Sequence, residues 1–343
     1  MLLPREIPTE TLVAEWSARQ DGWGLATLDS VPPNSCALRR MLEILPSAGR
    51  PAEARHSETE DLAHDAYFHV RRVEQDAPLV FIRMAVAARL AFHREVEEAP
   101  VTIPQDRLER IDSSLAALLA SLLGGGCYGA PTFAETRARG AERHAKVRWV
   151  RGHQIFAALT QGLIFAFQSM AREMRAGHSA PVQRWTDLAI SLLRGSAAAF
   201  ELTGDFPVEE YANTIRPSMM PPECPVGLSG LMSIDHRVLA QTIKEMKPAL
   251  HSLHEHEPAR HEALAGALSG VYDSHIHVCE KFVGARPSIL TEGRTQRSGP
   301  SLIEQFRSLR MKPFEHVTKA PRLTSVGQKK AEMAPEGLEC PFH

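Results

Sequence analysis

Apolar residues recur at spacings of three and four along most of this chain, and almost nowhere do they alternate with polar residues over the length of a strand. This spacing collects apolar side chains on one face of a helix. Ala, Leu, Glu and Arg, which favour helices, are abundant. The pattern therefore predicts an all-α fold. We expect helices at residues 9–19, 59–74, 79–97, 104–123, 141–175, 181–202, 228–256 (bent or divided at Pro248) and 260–283.

The helical part of the chain is predicted to form a single domain, residues 1–286. No internal repeat with a period of about 20–50 residues is present, which argues against a solenoid and favours one helical bundle. After Arg286 the composition shifts towards Gly, Ser, Lys, Arg and Pro. We expect residues 287–343 to form a partly irregular C-terminal extension, with one short amphipathic piece at 302–309 and little chemistry of its own.

Charge and cysteine content restrict the partners and the compartment. The 343 residues include 39 Lys plus Arg and 41 Asp plus Glu, so the net charge of -2 favours neither nucleic acid nor a membrane surface. The five cysteines are odd in number and show no CxxC spacing, which fits a reducing compartment. No apolar run follows the N-terminus, so no signal peptide is predicted and we expect a cytoplasmic protein. The longest apolar stretch, 155–170, contains Thr160, Gln161 and Gln168 and is predicted to be a buried helix.

Several common enzyme signatures are missing. Residues 124–129 read GGGCYG after a predicted helix, without the spacing of a phosphate-binding loop. A GxSxG elbow, an HExxH zinc helix and a paired ExxH di-iron cage are also absent. These absences argue against nucleotide-binding, serine-hydrolase, zinc-protease and di-iron chemistry.

His275 stands out because it lies on an apolar stripe of the last predicted helix. In an ideal helix Cys279 would lie about 40° around and about 6 Å along from it, so both side chains face the same way. A buried neutral imidazole suits iron ligation, and the thiol could coordinate the metal or attach covalently to a cofactor. The alternative is a core histidine that hydrogen-bonds a backbone carbonyl beside a small buried cysteine. The stripe consists of Leu264, Leu268, Val271, His275, Cys279 and Phe282.

A second histidine occupies a comparable position on the preceding predicted helix. His236 shares an apolar face with Met232, Leu239 and Ile243. Two antiparallel helices joined near Pro258 would turn His236 and His275 towards one another, as cofactor sites in helical bundles require. A flat haem between them would be six-coordinate.

The order His236, 38 intervening residues, His275, three residues, Cys279 resembles the HxnHxxxC haem motif of the 3-methyl-L-tyrosine hydroxylases, or peroxygenases, of saframycin-type antibiotic biosynthesis. The resemblance implies that the two histidines are axial haem ligands. It also implies that Cys279 forms a single thioether to a haem vinyl group. This attachment differs from the CxxCH motif of ordinary c-type cytochromes.

The segment IRPSMMPPECPVGLSGLMSIDH, residues 215–236, is similar to the haem-proximal region of the histidine-ligated aromatic oxygenases that include the tryptophan dioxygenases. That similarity implies a bundle of the tryptophan and indoleamine dioxygenase type enclosing the haem. From the residues alone, the stretch from Arg216 to Gly230 is predicted to be a loop, and Met219 and Met220 are more consistent with core filling than with catalysis.

The reaction implied by the resemblance is hydroxylation of 3-methyl-L-tyrosine ortho to the phenol, giving 3-hydroxy-5-methyl-L-tyrosine. The oxidant would be peroxide, or dioxygen with a reductant, and one axial histidine, His236 by preference, would have to leave. Arg216 is the candidate partner of the substrate carboxylate. Candidate proton donors are His93, His144 and His153. A homodimer is compatible with the sequence, although nothing in it specifies one.

Three other interpretations fit the same residues. A tryptophan-type haem dioxygenase would add two oxygen atoms instead of one, and the HxxxC element counts against it. A bis-histidine electron carrier or sensor would bind haem without a substrate. In a colourless helical protein, His236 and His275 would simply be core residues.

Overall fold

The computed structural model describes residues 1–18, 34–46, 59–123, 144–225, 228–284 and 298–315. Helices dominate these ranges, which confirms the all-α class. The helices are α1 (Glu10–Ala18), α2 (Ser35–Ile44), α3 (Thr59–Tyr67), α4 (Ala77–Glu98), α5 (Gln105–Leu122), α6 (Ala145–Arg175), α7 (Ser179–Thr203), α8 (Val208–Glu210), α9 (Arg216–Ser218), α10 (Ile234–Glu245), α11 (Lys247–His256), α12 (Pro258–Phe282) and α13 (Gly299–Met311). The strands are β1 (Leu2–Pro4) and β2 (Arg71–Val73).

The longest helices, α6 and α7, form the centre of the bundle. They pack along each other, and α7 also packs against α5 and α12. Trp185 on α7 is fully buried and meets Phe165 of α6 edge to face, with ring centroids 5.4 Å apart. At the other end of the pair Gly152 lies so close to Thr203 that a Cβ atom there would collide with the threonine side chain. This close approach brings the two backbones together next to the cavity described below.

The helix predicted at residues 59–74 is wrong in its second half. α3 ends at Tyr67, and His69 adopts a positive φ of 52°, which a helix cannot contain. β2 then pairs in parallel with β1, with Leu2 opposite Arg71, and the Met1 ammonium donates to the His69 carbonyl at 2.7 Å. Three-residue strands are too short to show an alternating pattern, so only the contact with the N-terminus reveals them.

The helix predicted at residues 228–256 is divided, as Pro248 indicated. α10 ends at Glu245 and α11 begins at Lys247, with Pro248 in its first turn, where its missing N–H costs no helical hydrogen bond. A 3₁₀ turn, Gly230–Met232, precedes α10. The helices therefore begin later and break earlier than periodicity alone indicated.

The loop predicted at residues 216–230 begins later than expected. A π-helical turn, Tyr211–Ile215, joins α8 to α9, so the chain stays helical through Ser218.

Helix α2 was not predicted at all. Its start is capped by Asn34, whose side chain accepts a hydrogen bond from the Ala37 amide at 3.0 Å.

Helix α6 is long and apolar enough to cross a membrane by length and composition, but 72% of its most apolar window is buried inside the protein. It is the central helix of the bundle, as expected for residues 155–170.

Several predictions concern residues outside the described ranges. They are the glycine-rich sequence at 124–129, the start of the helix predicted at 141–175, and most of the extension 287–343. Within that extension the piece predicted at 302–309 is part of α13, which packs against α12. The division of the chain at residue 286 stays a prediction.

Candidate active site

A cavity of about 330 Å³ lies between α6, α7, α10, α12 and α13, and is closed on one side by α3 and β2. Its size is at the lower end of the range for small-molecule sites. Most of its wall is apolar, with a concentration of aromatic rings. These rings belong to Phe68, Trp149, Phe156, Phe200, Tyr211, Tyr272 and Phe306.

His236 and His275 both line this cavity, from α10 and α12 respectively. The first turn of α10 is held by Ser233, whose side chain accepts a hydrogen bond from the His236 amide at 3.4 Å. The His275 ring stacks on Phe200, with centroids 4.5 Å apart and planes 12° apart. The structure thus brings to one cavity two histidines that are separated by 38 intervening residues in the sequence.

Both imidazoles are neutral at pH 7. Burial, and then the charge of Arg310, lower the pKa of His236 to about 4. Burial, and then the electrostatic influence of His236, lower the pKa of His275 to about 4. A neutral imidazole keeps a nitrogen lone pair available, which is the form that binds a metal.

Cys279 faces the same cavity one helical turn after His275. The thiol is free, and burial raises its pKa to about 11, so it is protonated at neutral pH. The backbone of Gly299 lies beside it, since a Cβ atom at that position would be 3.9 Å from the Cys279 Sγ. The start of α13 therefore covers the thiol.

Of the three candidate proton donors only His153 lines the cavity. Its ring stacks on Phe68 with centroids 4.1 Å apart, and its Nδ1 donates to the Trp149 carbonyl at 2.8 Å. Burial lowers its pKa to about 3, so the ring is neutral and Nε2 carries the lone pair. His93 instead bonds to Asp112, and His144 caps the start of α6.

A charged cluster in the cavity wall was not predicted from the sequence. Arg72 grips Asp65 with two hydrogen bonds, at 2.8 and 3.0 Å, and donates a third to the Oδ1 of Asp235 at 2.8 Å. Gln161 donates to the same Asp235 oxygen at 3.0 Å. Among the described residues, the buried Oδ2 of Asp235 has no hydrogen-bond partner, and neither does the buried Nδ1 of His64, which lies 3.8 Å from an Asp65 oxygen. We call Arg72, Asp65, Asp235 and His64 the cavity cluster.

The two arginines near the site have different surroundings. Arg216, the predicted carboxylate partner, is not among the cavity-lining residues and interacts with the Tyr211 side chain. Arg310 on α13 lines the cavity beside His236 and Tyr272. Arg310 lies in the segment that was predicted to carry little chemistry, and no motif in the sequence distinguishes it from other basic residues.

The donor set is suited to a haem and unsuited to a bare metal ion. Within the described residues no group of three or more His, Cys, Asp or Glu side chains could hold an ion. Two neutral imidazoles are sufficient protein ligands for a metal that is already coordinated by an organic macrocycle. The aromatic wall of the cavity suits such a flat ring. The residues present therefore fit a haem.

Three similarities to known proteins agree with one another. Residues 1–263 match the family model described as SfmD 3-methyl-L-tyrosine peroxygenase. A 3-methyl-L-tyrosine peroxygenase from Streptomyces lavendulae is 36% identical over 165 residues, which are 48% of this chain and 45% of that protein. A crystal structure of reduced SfmD, obtained by soaking with sodium hydrosulfite, superimposes with a TM-score of 0.65 at 26% identity. It covers 81% of this chain and 96% of the crystallised one.

The extent of these matches matters for the site. The family model ends before His275, Cys279 and Arg310, and the Streptomyces alignment spans less than half of that relative. The model nevertheless covers well over half of this chain, and the structural match extends further. The chain belongs to the SfmD 3-methyl-L-tyrosine peroxygenase family.

Proposed function

We propose that this protein is a haem-dependent peroxygenase that hydroxylates 3-methyl-L-tyrosine ortho to the phenol, giving 3-hydroxy-5-methyl-L-tyrosine. The observation that carries the proposal is that His236 and His275 both line one cavity with an aromatic wall. Family membership supports the reaction class. The proposal includes peroxide as oxidant, with dioxygen and a reductant as the alternative supply.

His236 and His275 would hold the haem iron, and Cys279 would add its S–H across one haem vinyl group to form a thioether. That addition is balanced, because the sulfur bonds to one vinyl carbon, the proton goes to the other, and nothing leaves. Bound haem would supply the oxidising chemistry that transfers one oxygen atom to an aromatic carbon. The remaining work belongs to the protein: to orient the ring, exclude water and move protons.

If both imidazoles held the iron, one of them would have to withdraw to let an oxidant bind, and we assign that role to His236. It lies in the first turn of α10, directly after a 3₁₀ turn. His275 lies well inside the 25-residue helix α12, stacks on Phe200 and has the Cys279 anchor one turn away. Local structure therefore restrains His275 more than His236.

The aromatic wall would hold the phenol ring and keep water out of the cavity. The Nε2 lone pair of His153 can accept a hydrogen bond from a phenol or hydroperoxide O–H, since its Nδ1 hydrogen is engaged by the Trp149 carbonyl. His153 thus becomes our candidate for proton transfer. The Phe68 ring stacked on it fixes the plane of the imidazole.

Turnover and mass spectrometry test the proposal. The haem-loaded protein should convert 3-methyl-L-tyrosine and peroxide to a product heavier by one oxygen atom. A gain of two oxygen atoms would point to a dioxygenase, and a protein that takes up no haem would contradict the proposal altogether.

The thioether has a separate test. Denaturing mass spectrometry should find one haem mass on the peptide that contains Cys279, and Cys279→Ala should release haem into acidified organic solvent. Cys224→Ala is the matched control, because Cys224 is also buried but does not line the cavity. Haem that stays attached in Cys279→Ala would contradict the assignment.

A further inference from the structure

Among the described residues, four charged side chains line the cavity, and three of them form ion pairs with one another. Arg72 is bound to both Asp65 and Asp235 in the cavity cluster. The fourth is Arg310, which forms no ion pair in the described part of the chain. Removing a guanidinium partly from water without an ion-pair partner costs free energy. A ligand that carries a negative charge would offset that cost.

A nearby arginine on the same helix is paired, so the lack of an ion pair is particular to position 310. Arg307, one turn earlier on α13, pairs with Asp273 of α12 and with Glu304 of its own helix. Arg310 instead lies close enough to His236 and Tyr272 to influence both electrostatically. α13 therefore uses one arginine to dock on α12 and presents the other to the cavity.

We propose that Arg310 is the carboxylate-binding residue of the cavity. A guanidinium offers two parallel N–H donors that match the two oxygens of a carboxylate. The identity of the ligand rests on the proposed function. Within it the carboxylate belongs either to the α-amino acid substrate or to a propionate of the haem.

The cavity cluster fits the amino-acid source in particular. An α-amino acid carries an ammonium beside its carboxylate, and the buried Oδ2 of Asp235 accepts no hydrogen bond from any residue that the structure describes. Asp235 is adjacent in sequence to His236, the residue that Arg310 also approaches. One cavity thus contains a spare cation and a spare carboxylate oxygen, which suits a zwitterion.

Calorimetric binding to the full haem-loaded chain provides the first arm of the test. Its probes are 3-methyl-L-tyrosine and the carboxamide of the same amino acid. Arg310→Gln should weaken binding of the acid by about 10- to 100-fold, the loss of one charge-assisted pair, and leave the carboxamide unchanged. Arg307→Gln is the matched control, and it should bind both probes as the wild type does.

The second arm uses haem and haem dimethyl ester as probes, added to the haem-free full chain and followed by absorbance. If the carboxylate is a propionate, Arg310→Gln weakens haem binding but not binding of the ester, and the two amino-acid probes bind as before. Selective loss in either arm supports the proposal and identifies the source.

Equal behaviour of Arg310→Gln and Arg307→Gln towards all four probes would overturn the proposal. If Arg310→Gln fails to fold, Arg310→Lys takes its place. Lysine keeps the positive charge but lacks the two parallel N–H donors, so it should weaken binding of the same probe by a smaller factor. A wild-type chain that binds neither haem nor the amino acid contradicts the proposed function itself. Binding by the wild type with no effect at position 310 contradicts only the role of Arg310.

Discussion

Two buried ionic clusters in this protein differ in how completely their atoms are paired. In the first, which we call the closed cluster, Asp112 of α5 accepts from Arg89 at 2.7 Å through each of two nitrogens and contacts His93 Nε2 at 2.6 Å. The cavity cluster has a similar composition, yet no described residue hydrogen-bonds to Asp235 Oδ2 or His64 Nδ1.

From this difference we infer that the closed cluster stabilises the fold, whereas the cavity cluster has atoms available for a ligand. Asp112 and Arg89 are 0% and 1% exposed and join α4 to α5 away from the cavity. In the cavity cluster the unpaired atoms belong to residues that line an open space. A buried polar atom without a partner is costly, so its persistence beside a cavity indicates a place for a ligand group or an ordered water.

The largest expected effect is on the closed cluster. Asp112→Asn should lower the free energy of unfolding by about 3–5 kcal/mol, because it removes the buried carboxylate charge that Arg89 binds through two nitrogens. Chemical denaturation measures this loss. Asp187→Asn, which removes an exposed partner of Arg260, is the control and should cost no more than about 1 kcal/mol. A loss below 1 kcal/mol for Asp112→Asn would mean that the cluster does not support the fold.

Acid should weaken the cavity region before the closed cluster. The folded pKa of His153, about 3, lies below its ordinary value of 6.5, so the unfolded chain binds more protons between these values. Its contribution to stability is complete above about pH 6.5 and is lost as the pH falls. Burial alone would raise the pKa of Asp112, but His93 and Arg89 lower it below 3.8, so its contribution is lost only in stronger acid.

Denaturation of haem-free protein at pH 7 and pH 5 tests this order. Three cavity histidines, His153, His236 and His275, each contribute a slope of up to about 1.4 kcal/mol per pH unit in that interval. His153→Phe keeps an aromatic ring stacked on Phe68 and should reduce the total slope. An unaltered slope in His153→Phe would contradict the ordering.

Removing charge from the cavity cluster should affect binding more than stability. Asp235→Asn keeps an oxygen for Arg72 and Gln161, and Asp65 still compensates Arg72, so we expect a loss of only about 1–2 kcal/mol in unfolding free energy. Calorimetry should show weaker binding of 3-methyl-L-tyrosine but not of its deaminated analogue. If Asp235→Asn destabilises the protein as much as Asp112→Asn does, the two clusters do not differ in the way we infer.

The smallest effect should come from His64. His64→Phe removes a buried Nδ1 that has no hydrogen bond to any described residue and keeps an aromatic ring beside Phe68, so stability should change by less than about 1 kcal/mol or rise slightly. His93→Phe, in the closed cluster, should be destabilising because Asp112 loses a partner. Thermal melting of the two variants side by side checks the sign, and a larger loss for His64→Phe would contradict the comparison.

Prediction from sequence worked best where the signal is local. Periodicity located α4, α5, α6, α7 and α12, and Pro248 marked the break between α10 and α11. It failed at residues 71–73, where three residues pair with the N-terminus, and at α2, which is short and surrounded by weakly patterned sequence. In both cases the deciding information lies in distant residues or in a single capping side chain.

The candidate site divides in the same way. The stripe on α12 indicated that His275 and Cys279 share a face, and the structure places both at the cavity. Arg216 was chosen for its position near the predicted loop, but the helical turn that continues to Ser218 directs it towards Tyr211 instead. The roles of His236, His275, Cys279 and Arg216 stay predictions.

The sequence by itself determined the helical class, the inward face of α12 and the resemblance of its histidines and cysteine to a haem motif. Helical periodicity repeats within a few residues, so a single sequence carries it in full. Only the packed structure shows that Arg72 binds Asp235, that His153 lines the cavity, and that Arg310 reaches the cavity from α13. These residues come together only when the helices pack, because the packing geometry depends on the summed burial of many side chains and not on the spacing within any one segment.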